Sequence, residues 1–210
     1  MTVEVKICGL STPETIDAAV RGGARYVGFV TYPKSPRYIS TETTRALGAL
    51  VPKTVIRVGL FVDPDDALLD EKLATGALDL LQLHGGETPG RVAAIKQRTG
   101  KPVMKVIKVG APDDVERAFA YAGVADRLMF EGAEGTLPGG NAMTFDWTFL
   151  SGRTIPLPWM LAGGLTPGNV AEAVRVTGAR TVDVSSGVES SRGVKSADLI
   201  RAFLDAVKAL

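Results

Sequence analysis

The chain has one cysteine and one histidine among its 210 residues, and these two scarcities remove whole classes of function. A lone thiol closes no internal disulfide, so neither a secreted disulfide framework nor a cysteine-rich metal site is available. A lone imidazole, His84, argues against a histidine-based zinc centre. An excess of one charge is lacking too. The 24 basic and 23 acidic side chains leave a formal +1 with both signs interspersed, unlike the basic stripe that neutralises nucleic-acid phosphates. No uninterrupted apolar run approaches the roughly 20 residues needed to cross a bilayer, and Met1-Thr2-Val3-Glu4 begins without a basic segment leading into an apolar one. The expectation is a cytoplasmic protein with neither nucleic acid nor membrane as partner.

What is present is alternation. Eight short runs rich in Val, Ile and Leu recur with helical segments between them: roughly Val3 to Cys8, Tyr26 to Val30, Val55 to Phe61, Leu78 to His84, Val103 to Ile107, Arg127 to Glu131, Pro158 to Ala162 and Thr181 to Ser185. This is the pattern of parallel strands covered by helices, and eight units predict one α/β domain over 1–210, a closed (β/α)₈ TIM barrel. At 210 residues against a typical 250 or so, the barrel is lean. Ser11 before Pro13 and Glu14 resembles a capping box, and Thr166-Pro167 repeats the proline device at a later helix start. Gly22-Gly23, Gly100 and Gly178 fall where helices should end. An open doubly wound sheet would want a glycine-rich turn after the first strand, and Cys8-Gly9-Leu10 has one glycine.

In such a barrel the residues ending each strand form a ring around the active site. The ring holds Cys8, the loop from Thr31 to Arg37, Asp63, His84, Lys105 or Lys108, Glu131, Gly163-Gly164 and Ser185-Ser186-Gly187. Gly163, Gly164, Ser185, Ser186 and Gly187 lie after strands seven and eight. These small residues let backbone N–H groups approach a phosphate, and a short helix starting near Ser186 would aim its positive end at the same anion. Arg37, stiffened by Pro36, offers a fork for a substrate carboxylate. Glu131 follows Leu128-Met129-Phe130, and desolvation there would raise its pKa toward that of a general acid; a capping or salt-bridging glutamate fits equally well. His84 is a pocket contact or proton donor, or a structural histidine bonded to a neighbouring loop. Trp147 and Trp159 read as packing residues.

Taken together, Val5-Lys6-Ile7-Cys8-Gly9, Lys34-Ser35-Pro36-Arg37, Leu81-Gln82-Leu83-His84-Gly85 with Glu87, Leu137-Pro138-Gly139-Gly140, Thr144-Phe145-Asp146-Trp147, Leu161-Ala162-Gly163-Gly164-Leu165 and Val182-Asp183-Val184-Ser185-Ser186-Gly187-Val188-Glu189 resemble the phosphoribosylanthranilate isomerases of tryptophan biosynthesis. The likeness runs nearly end to end. It implies an Amadori rearrangement of a phosphosugar substrate, with Cys8 as base, Glu131 in the acid's place, Arg37 on the anthranilate carboxylate and Gly164, Ser186 and Gly187 on the phosphate. Asp183 and His84 join the pocket, no metal or organic cofactor is implied, and a monomer and a homodimer are both compatible. Lys6 shares the face of Cys8 and either raises its thiolate fraction or pairs with an interior carboxylate.

Four departures cluster near the expected pocket. The family's acid is normally aspartate, often followed two residues later by lysine, whereas this chain reads Phe130-Glu131-Gly132-Ala133. The Glu134-Gly135-Thr136 stretch is short, Ala142 stands where glycine is usual, and Thr31 replaces a common phenylalanine. Three readings follow: Glu131 serves as acid after backbone compensation; the barrel keeps its phosphate site but has drifted, or been engineered, toward weak or altered activity; or it binds phosphosugars without catalysis, a reading that gives Cys8 no task.

Overall fold

Eight runs rich in branched apolar residues become eight strands, each with an outward apolar face that packs beneath a helix or turn. The structure is a computed structural model that describes residues 2–133 and 145–210. The motif at 137–140, the short stretch at 134–136, Ala142 and Thr144 lie outside the described residues. The strands are β1 Glu4–Cys8, β2 Tyr26–Val30, β3 Ile56–Phe61, β4 Leu80–Leu83, β5 Val103–Val109, β6 Arg127–Gly132, β7 Trp159–Leu161 and β8 Thr181–Val184. They pair in parallel in chain order, and β8 returns to β1 to close the barrel. β5 and β6 stay in register from Met104↔Arg127 to Val109↔Gly132, whereas the three-residue β7 meets β8 only at Leu161↔Val182.

Strand alternation sorts the side chains. Val5 and Ile7 of β1 join the core between strands and helices, whereas Lys6 and Cys8 face the barrel axis. A second cluster, built on Tyr26, Val58, Leu80, Met104, Met129 and Met160, fills the interior. Outside, the helices are α1 Pro13–Arg21, α2 Thr41–Ala49, α3 Asp66–Leu73, α4 Pro89–Thr99, α5 Val170–Thr177 and α6 Ala197–Lys208. Helix α6 buries Ile200, Phe203, Leu204 and Val207, spaced as one helical stripe. At about 1.5–3 kcal/mol for each such side chain, that stripe outweighs any capping effect in holding the helix. None of the described helices is long and apolar enough to cross a membrane.

Glycines end helices as expected: Gly22 caps α1, while Gly100 and Gly178 adopt φ of 62° and 70° after α4 and α5. The helix starts differ in detail. Thr12, not Ser11, accepts from the Thr15 N–H as the cap of α1. Thr166-Pro167 does not open α5; the Asn169 side chain accepts from the Thr166 N–H and ties off a turn, so the helix begins at Val170. After β5 and β6 the covering segments are 3₁₀, at Pro112–Tyr121 and Trp147–Leu150. The short helix expected near Ser186 is a single 3₁₀ turn, Ser186–Val188, followed by a hairpin of β9 Glu189–Ser191 and β10 Val194–Lys195.

Candidate active site

Cys8 ends β1 on the inward face, buried beside an ion pair between Lys6 Nζ and Asp183 Oδ1 at 2.7 Å. Lys6 therefore sits where both expectations placed it, next to the thiol and paired with an interior carboxylate. Burial pushes the Cys8 thiol above its ordinary range, and Lys6 and Lys195 only partly oppose that, with Asp183 adding to the rise. The expected gain in thiolate from a cationic neighbour is thus overridden by desolvation. Room for this trio comes from Gly28, the residue of β2 in register with Cys8. A Cβ there would stand 3.0 Å from Cys8 Sγ and 3.3 Å from Lys6 Nζ. Sequence reasoning passed over Gly28; its signal was a glycine inside an otherwise bulky strand, which marks a close approach.

Across the mouth, Glu131 lies near the end of β6 opposite Lys108 of β5. Its Oε2 accepts from Lys108 Nζ at 2.5 Å and lies 2.8 Å from His84 Nε2, while Lys108 Nζ and His84 Nε2 are 3.0 Å apart. The other ring nitrogen of His84 is 3.0 Å from the Gln82 side-chain nitrogen. Burial alone would raise the Glu131 pKa, as expected from sequence, but His84 and Lys108 reverse the sign and hold the carboxyl well below the usual range. Glu131 is an ionised carboxylate at neutral pH. Beneath this cluster Lys105 donates to Glu87 Oε2 at 2.7 Å and to the Gly85 carbonyl at 2.6 Å. Glu87 Oε1 also accepts from the N–H groups of Asp63 and Gly85, so the loops after β3 and β4 are tied together and His84 is presented rigidly. Lys105 thus belongs to the buried frame and Lys108 to the mouth.

The small-residue loops after β7 and β8 meet each other. Gly163 and Gly164 take φ of 90° and 65°, which other residues avoid. Asn169 Nδ2 donates to the Gly164 carbonyl at 2.9 Å, and Ser185 Oγ donates to the Cys8 carbonyl at 3.3 Å. Gly187 is small for a reason not visible in sequence: a Cβ on it would fall 1.9 Å from the Leu165 carbonyl oxygen. Thr31 is buried and donates its hydroxyl to the Leu60 carbonyl at 2.7 Å, so this polar exchange for a larger side chain is fully satisfied.

Arg37 does not present a free fork. Its Nε and Nη2 donate to the two oxygens of Glu189 at 2.6 and 2.8 Å, leaving the Nη1 edge for a ligand. Lys195 Nζ adds bonds to Glu189 Oε1 at 2.6 Å and to the Ser185 carbonyl at 2.9 Å, joining Arg37 to the β8 loop. Glu189 and Lys195 meet across the β9–β10 hairpin, but the Arg37–Glu189 pair joins residues far apart in sequence, which no local pattern reveals. The Arg37 side chain lies against Gly9, the residue after Cys8: a Cβ there would stand 2.9 Å from Arg37 Cδ.

Burial works against the Glu189 charge, yet Arg37, Lys195 and the Gly193 N–H outweigh it and pull the pKa down from 4.5 to about 2. A folded-state pKa below the unfolded one contributes stability that is complete above about pH 4.5 and disappears as pH falls toward 2. By linkage this amounts to about 3 kcal/mol. Glu189→Gln should therefore be markedly less stable than the parent in urea at pH 7, with the gap closing between pH 4.5 and 2. A gap independent of pH would show that the pair does not titrate.

A family model described as N-(5′-phosphoribosyl)anthranilate (PRA) isomerase matches residues 5–206. The N-(5′-phosphoribosyl)anthranilate isomerase of Paramagnetospirillum magneticum is 55% identical over 211 residues, covering 99% of this chain and 98% of its own. That of Paracoccus denitrificans is 56% identical over 207 residues, covering 97% and 96%. Among solved structures, the phosphoribosyl anthranilate isomerase of Thermotoga maritima superposes with a TM-score of 0.89 at 36% identity over 100% of both chains. A phosphoribosyl anthranilate isomerase in complex with reduced 1-(o-carboxyphenylamino)-1-deoxyribulose 5-phosphate gives 0.85 at 35%, also over 100% of both.

Proposed function

The chain belongs to the N-(5′-phosphoribosyl)anthranilate isomerase family, and from that premise we propose how its own residues divide the Amadori rearrangement of N-(5-phosphoribosyl)anthranilate to 1-(2-carboxyphenylamino)-1-deoxyribulose 5-phosphate. The phosphate rests between Gly163-Gly164 and Ser185-Ser186-Gly187, and the anthranilate carboxylate takes the free edge of Arg37. Anchored at both ends, the ribose spans the mouth between Cys8 and the Glu131 cluster. Such positioning can lower a barrier by several kcal/mol, up to about 7–11 for ideal alignment.

A proton reaches the furanose ring oxygen as the C1′–O4′ bond breaks, and the nitrogen lone pair forms the iminium. Glu131 holds the acid's position, within hydrogen-bond distance of Lys108 Nζ and His84 Nε2. Cys8 then removes the C2′ proton, which the adjacent iminium has acidified. The developing cation also offsets the burial that disfavours thiolate. The enolamine tautomerises to the ketone, C1′ and C2′ exchange oxidation level within one molecule, and no external electron carrier is required. We extend the reading to a cytoplasmic enzyme of tryptophan biosynthesis, monomeric or homodimeric.

The observation that carries this reading is the placement of Cys8 and Asp183–Lys6 on the axis beside two touching phosphate-type loops, with the Glu131 cluster across the same mouth. A phosphosugar-binding barrel without catalysis has no use for a glycine cleared around a buried thiol. The test is turnover itself. Purified protein mixed with phosphoribosylanthranilate should extinguish its fluorescence at an enzymatic rate, and a trace indistinguishable from buffer would remove the assignment.

A further inference from the structure

We propose that Lys108 supplies the proton to the furanose ring oxygen, with Glu131 holding its ammonium and His84 holding Glu131. The inference rests on the isomerase reading above and assigns the donor that reading leaves within a cluster. Three geometric observations favour Lys108. Glu131 Oε2 lies within hydrogen-bond distance of two nitrogens, at 2.5 and 2.8 Å, so the carboxylate is engaged as an acceptor. His84 Nδ1 accepts from the Gln82 side-chain N–H and its Nε2–H donates to Glu131 Oε2, so no N–H is left to turn toward a ligand. Among the described residues the Lys108 ammonium donates to Glu131 Oε2 and not to His84 Nε2, which is itself a donor to Glu131, so protons remain to point into the mouth, where the side chain keeps 31% exposure.

Strand register supports the same assignment: Lys108 brings its ammonium to Glu131 from the adjacent strand, paired directly opposite it. The longer glutamate reaches across to that strand. In the step itself an N–H bond of Lys108 breaks and an O–H bond forms as C1′–O4′ cleaves. The amine is left neutral, Cys8 gains the C2′ proton, and exchange with solvent restores both groups.

The experiment compares wild type, Lys108→Ala and Glu131→Gln with phosphoribosylanthranilate, adding ethylamine as a replacement proton donor. Binding of the reduced product analogue checks that each variant is folded. Lys108→Ala should lose about 100-fold in kcat, within the range for a general acid, with KM changed less than about threefold. Ethylamine should restore at least about tenfold of that loss and leave wild type unaffected, since the cavity left by the side chain admits a small amine. Glu131→Gln, which still accepts from the ammonium, should lose less than Lys108→Ala. A Lys108→Ala enzyme that amines do not restore, or that turns over like wild type, overturns the donor role while the isomerase assignment stands. Inactive wild type removes both. A merely structural lysine predicts no amine rescue.

Discussion

Replacing Cys8 by Ser should lower turnover at least about 10³-fold while the reduced product analogue binds as before. The side chain is nearly isosteric and sits beside Lys6 and Asp183, whose own pair at 2.7 Å does not depend on it, so fold and anchoring survive. What is lost is a group acidic enough to ionise, because a hydroxyl in the same desolvated place holds its proton far more tightly than a thiol. The parent enzyme carries a related signature. With the thiol pushed above its ordinary range by burial, each pH unit below that pKa should change the thiolate fraction, and hence kcat/KM, about tenfold. Activity should climb from neutral pH toward the alkaline side. A Cys8→Ser variant retaining a tenth of the parent rate would transfer the base to another group, with Asp183 the first to examine.

Gly187→Ala is expected to damage substrate anchoring more than any other single methyl group. The added carbon would stand 1.9 Å from the Leu165 carbonyl oxygen and 2.9 Å from its carbon, both backbone atoms that no rotamer change can move. The loops after β7 and β8 must part by about 1 Å, a displacement that can cost about 10²-fold when it separates groups that act together. KM for phosphoribosylanthranilate should rise about 100-fold, and inhibition by inorganic phosphate should weaken in parallel. Gly178→Ala is the contrast. Gly178 has φ 70° but nothing within 4 Å of the new carbon, and it lies at the opposite end of the barrel. It should cost about 1–2 kcal/mol of stability through the left-handed backbone and leave KM alone. A normal KM in Gly187→Ala would detach the β8 loop from the phosphate.

The strands were legible because a buried parallel strand is specified locally, by a run of branched apolar residues and a breaker at each end. The ring of strand-end residues follows from topology alone, which is why Cys8, His84, Glu131 and the paired loops are legible in the sequence. What escaped depends on register between strands. The pKa of Glu131 is set by Lys108 on β5 and His84 just after β4, and burial, the single contribution visible in sequence, has the opposite sign. Arg37 looked available because Glu189 and Lys195 meet it only after the barrel closes. Thr166-Pro167 misled for a smaller reason: an asparagine side chain can imitate a backbone cap and end a turn before a helix begins.

The barrel is fastened most loosely between β7 and β8, where Leu161↔Val182 is the pairing, and this is the seam above which the small-residue loops meet. On the phosphate reading proposed above, an anion gripping both loops acts as a clasp across that gap. By mass action, a ligand that binds only the closed seam removes the opened one, so the cell's own pool of substrate sets how often this seam of the barrel parts. Catalytic occupancy and resistance to unfolding then become one equilibrium, and a starved enzyme is also a more fragile one.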